Sequence, residues 1–563
     1  LPVLLTIILF SYGNFPLLKL KVVFMPISIS KTSSKKFGLW LSLVWVLLII
    51  TMAIPLPALA DDEDLYNAPY FNGQNTPLGM MGTQAQLIGA SDAYLTWYVD
   101  NGSTRSIFGY DRQQNKLIEA GKGTQAAKPV FTNTTIFYVA GNGINSFDLA
   151  SGKQALVVGK SGVNQLAADG DVLAYSAGDT FVHYVSSGQE VKLDVKVTKI
   201  EVLAVSNRQV FWTGPLPQAE GNNNVEYIIN RFDTNNGAYV ELIRSDGSFP
   251  NLVVSNNLIS YVGKDDAGVD QILLYDWVNK KFSSLGSGNN VSISGNLVVY
   301  LTLKTPSVAR GYDLDAKRPF QVEDAANEVF IYGKKVIWRK DFSNRLEKGR
   351  AYYEAQLQPR PQGDDLPSKR IQEAIPNTLF FYETGHSIQG AFRTYWEKNG
   401  GLAQFGYPLT EQFDELNPSD GKVYKTQYFE RARFEYHPEN KAPYDVLLGL
   451  LGNQLTIARR YEDPFLSISK EEAGDRYYFQ ETGHAISGPI RTYWEKTGGL
   501  PVYGFPITEP FEEVNPSDGK TYTVQYFERN RLEYHPENAG TKYEVLLGLL
   551  GTQILAARGW LNS

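Results

Sequence analysis

Residues 133–138 read NTTIFY: a turn former, then a short apolar run that ends five positions later in an aromatic. The arrangement returns along the middle of the chain, with runs ending at Trp97 (AYLTW), Tyr138 (TIFY), Tyr175 (VLAY), Trp212 (QVFW), Tyr261 (LISY), Tyr300 (LVVY) and Trp338 (KVIW). Successive spacings are 41, 37, 37, 49, 39 and 38 residues. Five positions before each aromatic stands Asp92, Asn133, Gly170, Asn207, Asn256, Gly295 or Gly333. These residue types tolerate the positive φ of a tight hairpin.

A second run in most units ends in an aromatic and an acid: Tyr110-Asp111, Phe147-Asp148, Phe232-Asp233, Tyr275-Asp276, Tyr312-Asp313 and Tyr353-Glu354, with Tyr184-Val185 departing from the rule. Three to four short strands in about 40 residues is the period of a β-propeller blade. One such unit cannot bury both faces, so blades must stack around an axis. The pattern predicts a seven-bladed propeller over 61–359. Its last unit stops after YYEAQLQ, one strand short, and residues 66–85 are placed to supply that strand. These units resemble the TolB-like and related β-propellers of exported bacterial proteins. That resemblance implies architecture and not a ligand, and the repeated aromatics and acids are explained by blade packing and turn capping. The polar insertion PLPQAEGNNNVE (215–226) reads as a projecting loop.

After a Pro- and charge-rich stretch read as a linker (360–378), one module is written twice, over 379–460 and 478–563, with a second linker at 461–477. His386 matches His484 and His437 matches His535, both at an offset of 98. NPSDGKVYKTQYFERARFEYHPEN (417–440) and NPSDGKTYTVQYFERNRLEYHPEN (515–538) agree at nineteen of twenty-four positions. Ile388, Phe392, Tyr395 and Trp396 fall at helical spacing, with Gly400-Gly401 as the stop. PSDG reads as a hairpin turn, the run after it alternates as β-structure, and VLLGLLG as a short buried segment. The fold class is therefore multidomain: an all-β propeller followed by two small α+β modules. The stretches GGLAQFGYPLTE with QYFERARFEY, and GGLPVYGFPITE with QYFERNRLEY, each followed by LLGLLG, resemble the LGFP-type repeats of bacterial cell-envelope proteins. They look closer still to tandem C-terminal modules of exported proteins from Chloroflexota-type bacteria. The longer NPSDG insert, and Arg in place of the family's glycine after Phe-Glu, depart from the LGFP pattern. The resemblance implies an envelope-associated or wall-binding module without a defined ligand.

If strand pairing ran unbroken through this stretch, Gln427, Arg431, Arg433, Glu435 and His437 would share one face, repeated as Gln525, Arg529, Arg531, Glu533 and His535. The five differences between copies miss this polar row. Three readings stay open. The row is a network of polar side chains that holds the module together. Or it is a site for a glycan or wall polymer, beside exposed aromatics. Or Glu383 and His386, matched by Glu481 and His484, join His437 and His535 in binding metal, which is a weak signal without a helix and a third ligand.

The remaining features bound the class. The chain has 563 residues, no cysteine and a net charge of −7, which excludes disulfides and thiol catalysis and argues against nucleic acid as a partner. From Met25, Lys31, Lys35 and Lys36 precede an apolar run from Leu39 to Ile54 and an ALA site before Asp61. The pattern predicts a signal peptide at 25–60, and residues 1–24 are expected to lie upstream of it, outside the mature protein. The alternative is an uncleaved anchor, the only membrane contact expected. Either reading places the rest of the chain outside the cytoplasm, extracellular or at the envelope. There is no G-x-S-x-G, H-E-x-x-H, P-loop or dinucleotide fingerprint, no cofactor is expected, and GKDDAGVDQ (263–271) lacks the spacing of an EF-hand. The expectation is a non-catalytic binding scaffold, the modules holding envelope polysaccharide and the propeller face a protein. The alternative is a secreted glycan-processing enzyme with channel carboxylates in the propeller.

Overall fold

The computed structural model describes residues 70–72, 76–81, 84–218, 225–265, 267–359, 366–417 and 422–561. The expected signal segment lies outside the described residues, as does 219–224 within the projecting loop. Among the described residues, no helix is long and apolar enough to cross a membrane.

From Ala85 to Pro359 the chain forms antiparallel sheets, each built from consecutive strands. The first contains Ala85–Ala90, Tyr94–Asn101, Thr104–Asp111 and Lys116–Thr124; the second Val130–Thr132, Thr135–Ala140, Gly143–Asp148 and Lys153–Val158. Two more follow over 165–193 and 202–245. The next two share one long strand, Lys281–Ser294, whose first part pairs with Asp270–Asp276 and whose second part pairs with Leu297–Thr302. The last sheet holds Glu328–Tyr332, Lys335–Ser343 and Lys348–Pro359. Thr76–Met81 completes it, with Thr76 opposite Glu354 and Met81 opposite Arg350. The strand expected from residues 66–85 is thus in place. The first and last sheets touch: Arg112 makes a two-pronged bond to Glu354 at 2.9 and 3.0 Å, and Lys335 reaches Asp92 at 2.7 Å.

The repeated residues have the packing roles their period implies. Tyr138, Tyr175, Trp212 and Trp338 are fully buried. Asn133, Gly170, Asn207, Asn256, Gly295 and Gly333 all adopt φ between 47° and 58°, the left-handed region that a two-residue hairpin needs. Asp92 is not among the positive-φ residues; its carboxylate pairs with Lys335 instead. The acids at strand ends cap the following turn: Asp111 accepts from the Gln113 and Gln114 amides, Asp276 from Val278 and Asn279, Asp313 from Asp315 and Ala316. A further regularity escaped the sequence reading. The residue before a turn former caps the next sheet's turn, Thr132 accepting from Gly170 N (2.9 Å), Asp169 from Asn207 N (2.7 Å) and Ser206 from Asn256 N (3.2 Å).

The C-terminal part repeats one order of elements. The first copy has a hairpin of Leu379–Phe381 and His386–Ile388, then helices α1 (Gly390–Lys398) and α2 (Gly401–Phe405). A four-stranded sheet follows (Phe413–Asn417, Lys422–Tyr428, Arg433–Tyr436, Val446–Leu448), and helix α3 (Leu451–Thr456) ends the copy. After a short α4 (Lys470–Ala473), the second copy gives Tyr477–Phe479 with His484–Ile486, α5 (Gly488–Lys496) and α6 (Gly499–Tyr503). Its sheet is Phe511–Val514, Thr521–Tyr526, Arg531–Tyr534 and Val545–Leu547, and α7 (Leu550–Ala557) closes it. Gly400 (φ 105°) ends α1 as its position implies, but the chain turns at once into α2.

The described residues of the stretches read as linkers, 366–378 and 461–477, take part in the repeat. Pro367 O accepts from Glu411 N at 2.9 Å and Ile371 N donates to Gly385 O at 2.8 Å. Pro464 and Ile468 repeat these bonds to Glu509 N and Gly483 O, both at 2.8 Å. Each copy therefore begins with an arm before its hairpin. The second arm is also where the propeller attaches. At the turn between Lys335–Ser343 and Lys348–Pro359, Asn344 donates to Tyr461 O (2.8 Å), Arg345 N to Asp463 (2.7 Å) and the Arg345 guanidinium to Ser467 O (2.9 Å). Phe342 stacks on Tyr461 with ring centroids 4.6 Å apart.

Candidate functional site

The polar row was predicted on the assumption of one continuous strand, and the structure breaks that strand. Phe429 N donates to Ala432 O (2.8 Å), so Phe429–Ala432 is a tight turn and Tyr428 faces Arg433 across a hairpin. Register then places Arg433 and Glu435 on the face of Tyr428 and Thr426, while Gln427 pairs with Phe434 on the opposite face. The predicted division of faces is corrected accordingly: Gln427 is separated from Arg433 and Glu435, and Arg431 sits in the turn. Gln525 pairs with Leu532, and Tyr526 with Arg531, in the same way in the second copy.

Eight of the ten candidate ligand residues are buried: Gln427, Arg433, Glu435, His437, Gln525, Arg531, Glu533 and His535. Gln427 donates to Ser387 O and Thr410 O at 2.8 and 2.7 Å, fixing the hairpin loop to the sheet; Gln525 does the same to Ala485 O and Thr508 O. The Arg433 guanidinium grips Glu435 through Nε at 2.8 Å and meets the Tyr428 hydroxyl at 3.3 Å. Arg531 repeats this with Glu533 (3.0 Å) and Tyr526 (3.2 Å), and adds Glu513 at 3.0 Å. The other oxygen of Glu435 accepts from Asn417 at 2.8 Å. His437 lies over the Tyr424 ring at 4.0 Å and faces Glu439 at 3.0 Å. Burial works against the charge on Arg433, yet the adjoining Tyr428 and Glu435 hold its pKa above the ordinary arginine value, so it stays charged. Arg431 and Arg529 are half-buried and cover the carbonyls of Leu402 (3.4 Å) and Leu500 (3.5 Å). These contacts are those of the polar-network reading.

The weak metal candidates do not converge. Glu383 is exposed, beside Tyr407, while His386 is buried with Nδ1 at 3.4 Å from Glu411. Glu481 and His484 divide in the same manner, His484 facing Glu509 at 3.2 Å. Among the described residues, no three His, Asp or Glu side chains are grouped so as to hold a metal ion. Around 263–271, Asp265 is taken up by the Ala267 and Val269 amides and Gln271, and Asp270 by Lys264. The first strands of the propeller sheets, which meet one another between sheets, carry only Asp169 and Glu328 as carboxylates among the described residues. Asp169 caps Asn207 and Glu328 pairs with Arg339 at 2.7 Å.

What the polar row surrounds is the contact between the copies, which the sequence reading missed. Each copy's last helix packs on the other copy's sheet. Arg558, after α7, reaches Glu415 of the first copy at 2.6 Å and lies 5.2 Å from the Tyr428 ring, and Trp560 meets Phe413 at 5.5 Å. Arg459, after α3, reaches Glu513 of the second copy at 2.5 Å and lies 5.8 Å from the Tyr526 ring. The first turns of the helices are satisfied across the same seam, Thr552 N donating to Glu430 O (3.2 Å) and Asn453 N to Glu528 O (3.1 Å). Both glycines of LLGLLG are explained by close approach. A Cβ on Gly452 would lie 1.8 Å from Phe527 O, and one on Gly551 1.9 Å from Phe429 O. A Cβ on Gly449 would lie 2.5 Å from the Arg433 guanidinium. Phe392, Phe405 and Phe434 share one apolar core with Ile490, Trp494 and Tyr503.

No family model and no curated protein matches the chain. Solved structures similar to it are β-propellers. TolB from Acinetobacter baumannii is 15% identical with a TM-score of 0.31, covering 42% of this chain, and the chain spans 66% of that structure. The propeller domain of the trilobed protease from Pyrococcus furiosus is 11% identical (TM-score 0.36), covering 51% of this chain and 96% of its own. Oligogalacturonate lyase in complex with manganese gives the same identity and TM-score over 51% and 98%.

Proposed function

We propose that this chain is an exported, non-catalytic binding scaffold at the cell envelope. In this reading its seven sheets are the blades of one closed propeller, and two LGFP-like α+β modules form the attachment body. The observation that carries it is the inward turn of the polar row. Buried and internally bonded, it builds the module pair and leaves recognition to the outer surface. That surface repeats an exposed aromatic, Tyr444 on the first copy and Tyr543 on the second, 67% and 54% exposed, in the loops before Val446–Leu448 and Val545–Leu547. Flat, amphipathic rings presented to solvent suit the faces of sugars, and two equivalent rings on one body add avidity without further contacts. The pairing of Asp169 and Glu328 with their own neighbours favours binding over glycan processing in the propeller.

The test is retention of the mature chain on purified cell walls. Saturable binding that Tyr444→Ala/Tyr543→Ala reduces at least tenfold, with unchanged melting, supports the reading. Binding that ignores both tyrosines, or its absence, removes glycan attachment from it.

A further inference from the structure

The two copies are related by a pseudo-twofold arrangement, and at its centre they differ. Gln404, buried at the end of α2, donates to the Tyr503 hydroxyl of the other copy at 3.0 Å. Thr497 lies 2.7 Å from the same hydroxyl. The exchanged pair, Phe405 in the first copy and Val502 in the second, is apolar and buried in the shared core. One side of the seam is thus polar and matched, the other apolar and matched. Nearby, Asn530 is buried and donates to Arg431 O at 3.4 Å, whereas its equivalent is Ala432.

We infer that these differences fix the identity of the partner: the copies are built to pair with each other and to reject their own kind. A first copy meeting a first copy from another chain would set each Gln404 against Phe405, with its amide unpartnered. Two second copies would set each Tyr503 against Val502, and its hydroxyl would lose the Gln404 bonds and keep only Thr497 of its own copy. A buried polar group without a partner loses its hydration uncompensated. The matched pairing therefore needs one copy of each type, which a single chain supplies to itself. The seam is a specificity device that keeps the protein a monomer although its fold contains an interlocked dimer of modules.

The test makes the seam symmetric in the full chain with Phe405→Tyr/Val502→Gln, so that either kind of pairing has a Gln–Tyr bond on both sides. Refolded across a hundredfold range of concentration and examined by light scattering, the natural chain is expected to remain monomeric. The symmetric variant is expected to give dimers and larger species in rising proportion. A folded variant that stays monomeric at every concentration, or a natural chain that multimerises equally, overturns the inference. A second measurement stands if that variant fails to fold. Gln404→Leu and Tyr503→Phe should each lower the melting temperature, and together should recover most of the loss; strictly additive losses contradict the pairing.

Discussion

Arg558 lies 2.6 Å from Glu415, a residue of the opposite copy 143 positions earlier in the chain. Both groups are largely removed from water. The Glu415 carboxyl is held below the ordinary carboxylate range because Arg558 and Arg433 together outweigh the burial that would raise it. Removing Arg558 leaves the buried Glu415 carboxylate under-compensated, with Arg433 at 3.8 Å and the Tyr428 hydroxyl at 3.1 Å as its remaining partners. Arg558→Ala is therefore expected to cost about 3–5 kcal/mol, seen as a lowered midpoint in calorimetry. Arg558→Met/Glu415→Leu should recover most of that, because the carboxylate left under-compensated by the loss of Arg558 is removed with it.

A methyl group at the seam should act as strongly as the lost charge. Gly551→Ala places its Cβ against the Phe429 carbonyl, a backbone atom that cannot rotate away. The expected loss is about 3 kcal/mol, and Gly452→Ala should match it. Gly540→Ala, at φ 76° with open space around it, should cost only about 1 kcal/mol.

Acid should loosen the C-terminal body. Glu415 and Glu509 both have carboxyls depressed in the folded state. For Glu509, burial opposes the shift, and His484, the Ala485 amide and Arg476 overcome it. A depressed folded pKa gives stability that is complete above the unfolded value, near 4.3, and is lost as pH falls through the folded value. Melting temperature should thus be steady from pH 7 to about 5 and fall below it. Glu509→Gln should start lower and show a shallower acid limb.

Where the first and last sheets meet, Arg112→Ala removes both bonds to Glu354, leaving that carboxylate with Tyr332. A loss of about 2–3 kcal/mol is expected. Faster amide exchange should appear first in Lys348–Pro359, and exchange confined to other sheets would contradict a role for this contact in holding the last sheet to the first.

The propeller was legible because its signal is repeated. A turn former and an aromatic at fixed spacing mark the same hairpin many times over, so local chemistry and tertiary packing agree. The modules were legible as repeats but not as a pair. Nothing in the alternation of QYFERARFEY announces the turn at Phe429–Ala432, because apolar and charged residues alternate on both sides of it. The faces were consequently divided wrongly. A sign of the interlock was present in LLGLLG. Gly449 makes room for Arg433 of its own copy, but Gly452 has its reason only in Phe527 of the other. Contacts between residues 54 to 143 positions apart leave no periodic trace. Pro367 and Pro464 likewise look like breakers in sequence, yet their carbonyls hold equivalent places beside the Glu411 and Glu509 amides.

The exchanged last helices should make the two copies unfold as one cooperative body. Amide exchange of Lys422–Tyr428 in the full-length Arg558→Ala chain tests it most directly, because the substitution lies in the second copy and the strand in the first. Interlocked copies predict that this strand and Thr521–Tyr526 lose protection together. A first copy that keeps its full protection while the second opens would show two independent modules and rule out the interlock as the source of stability.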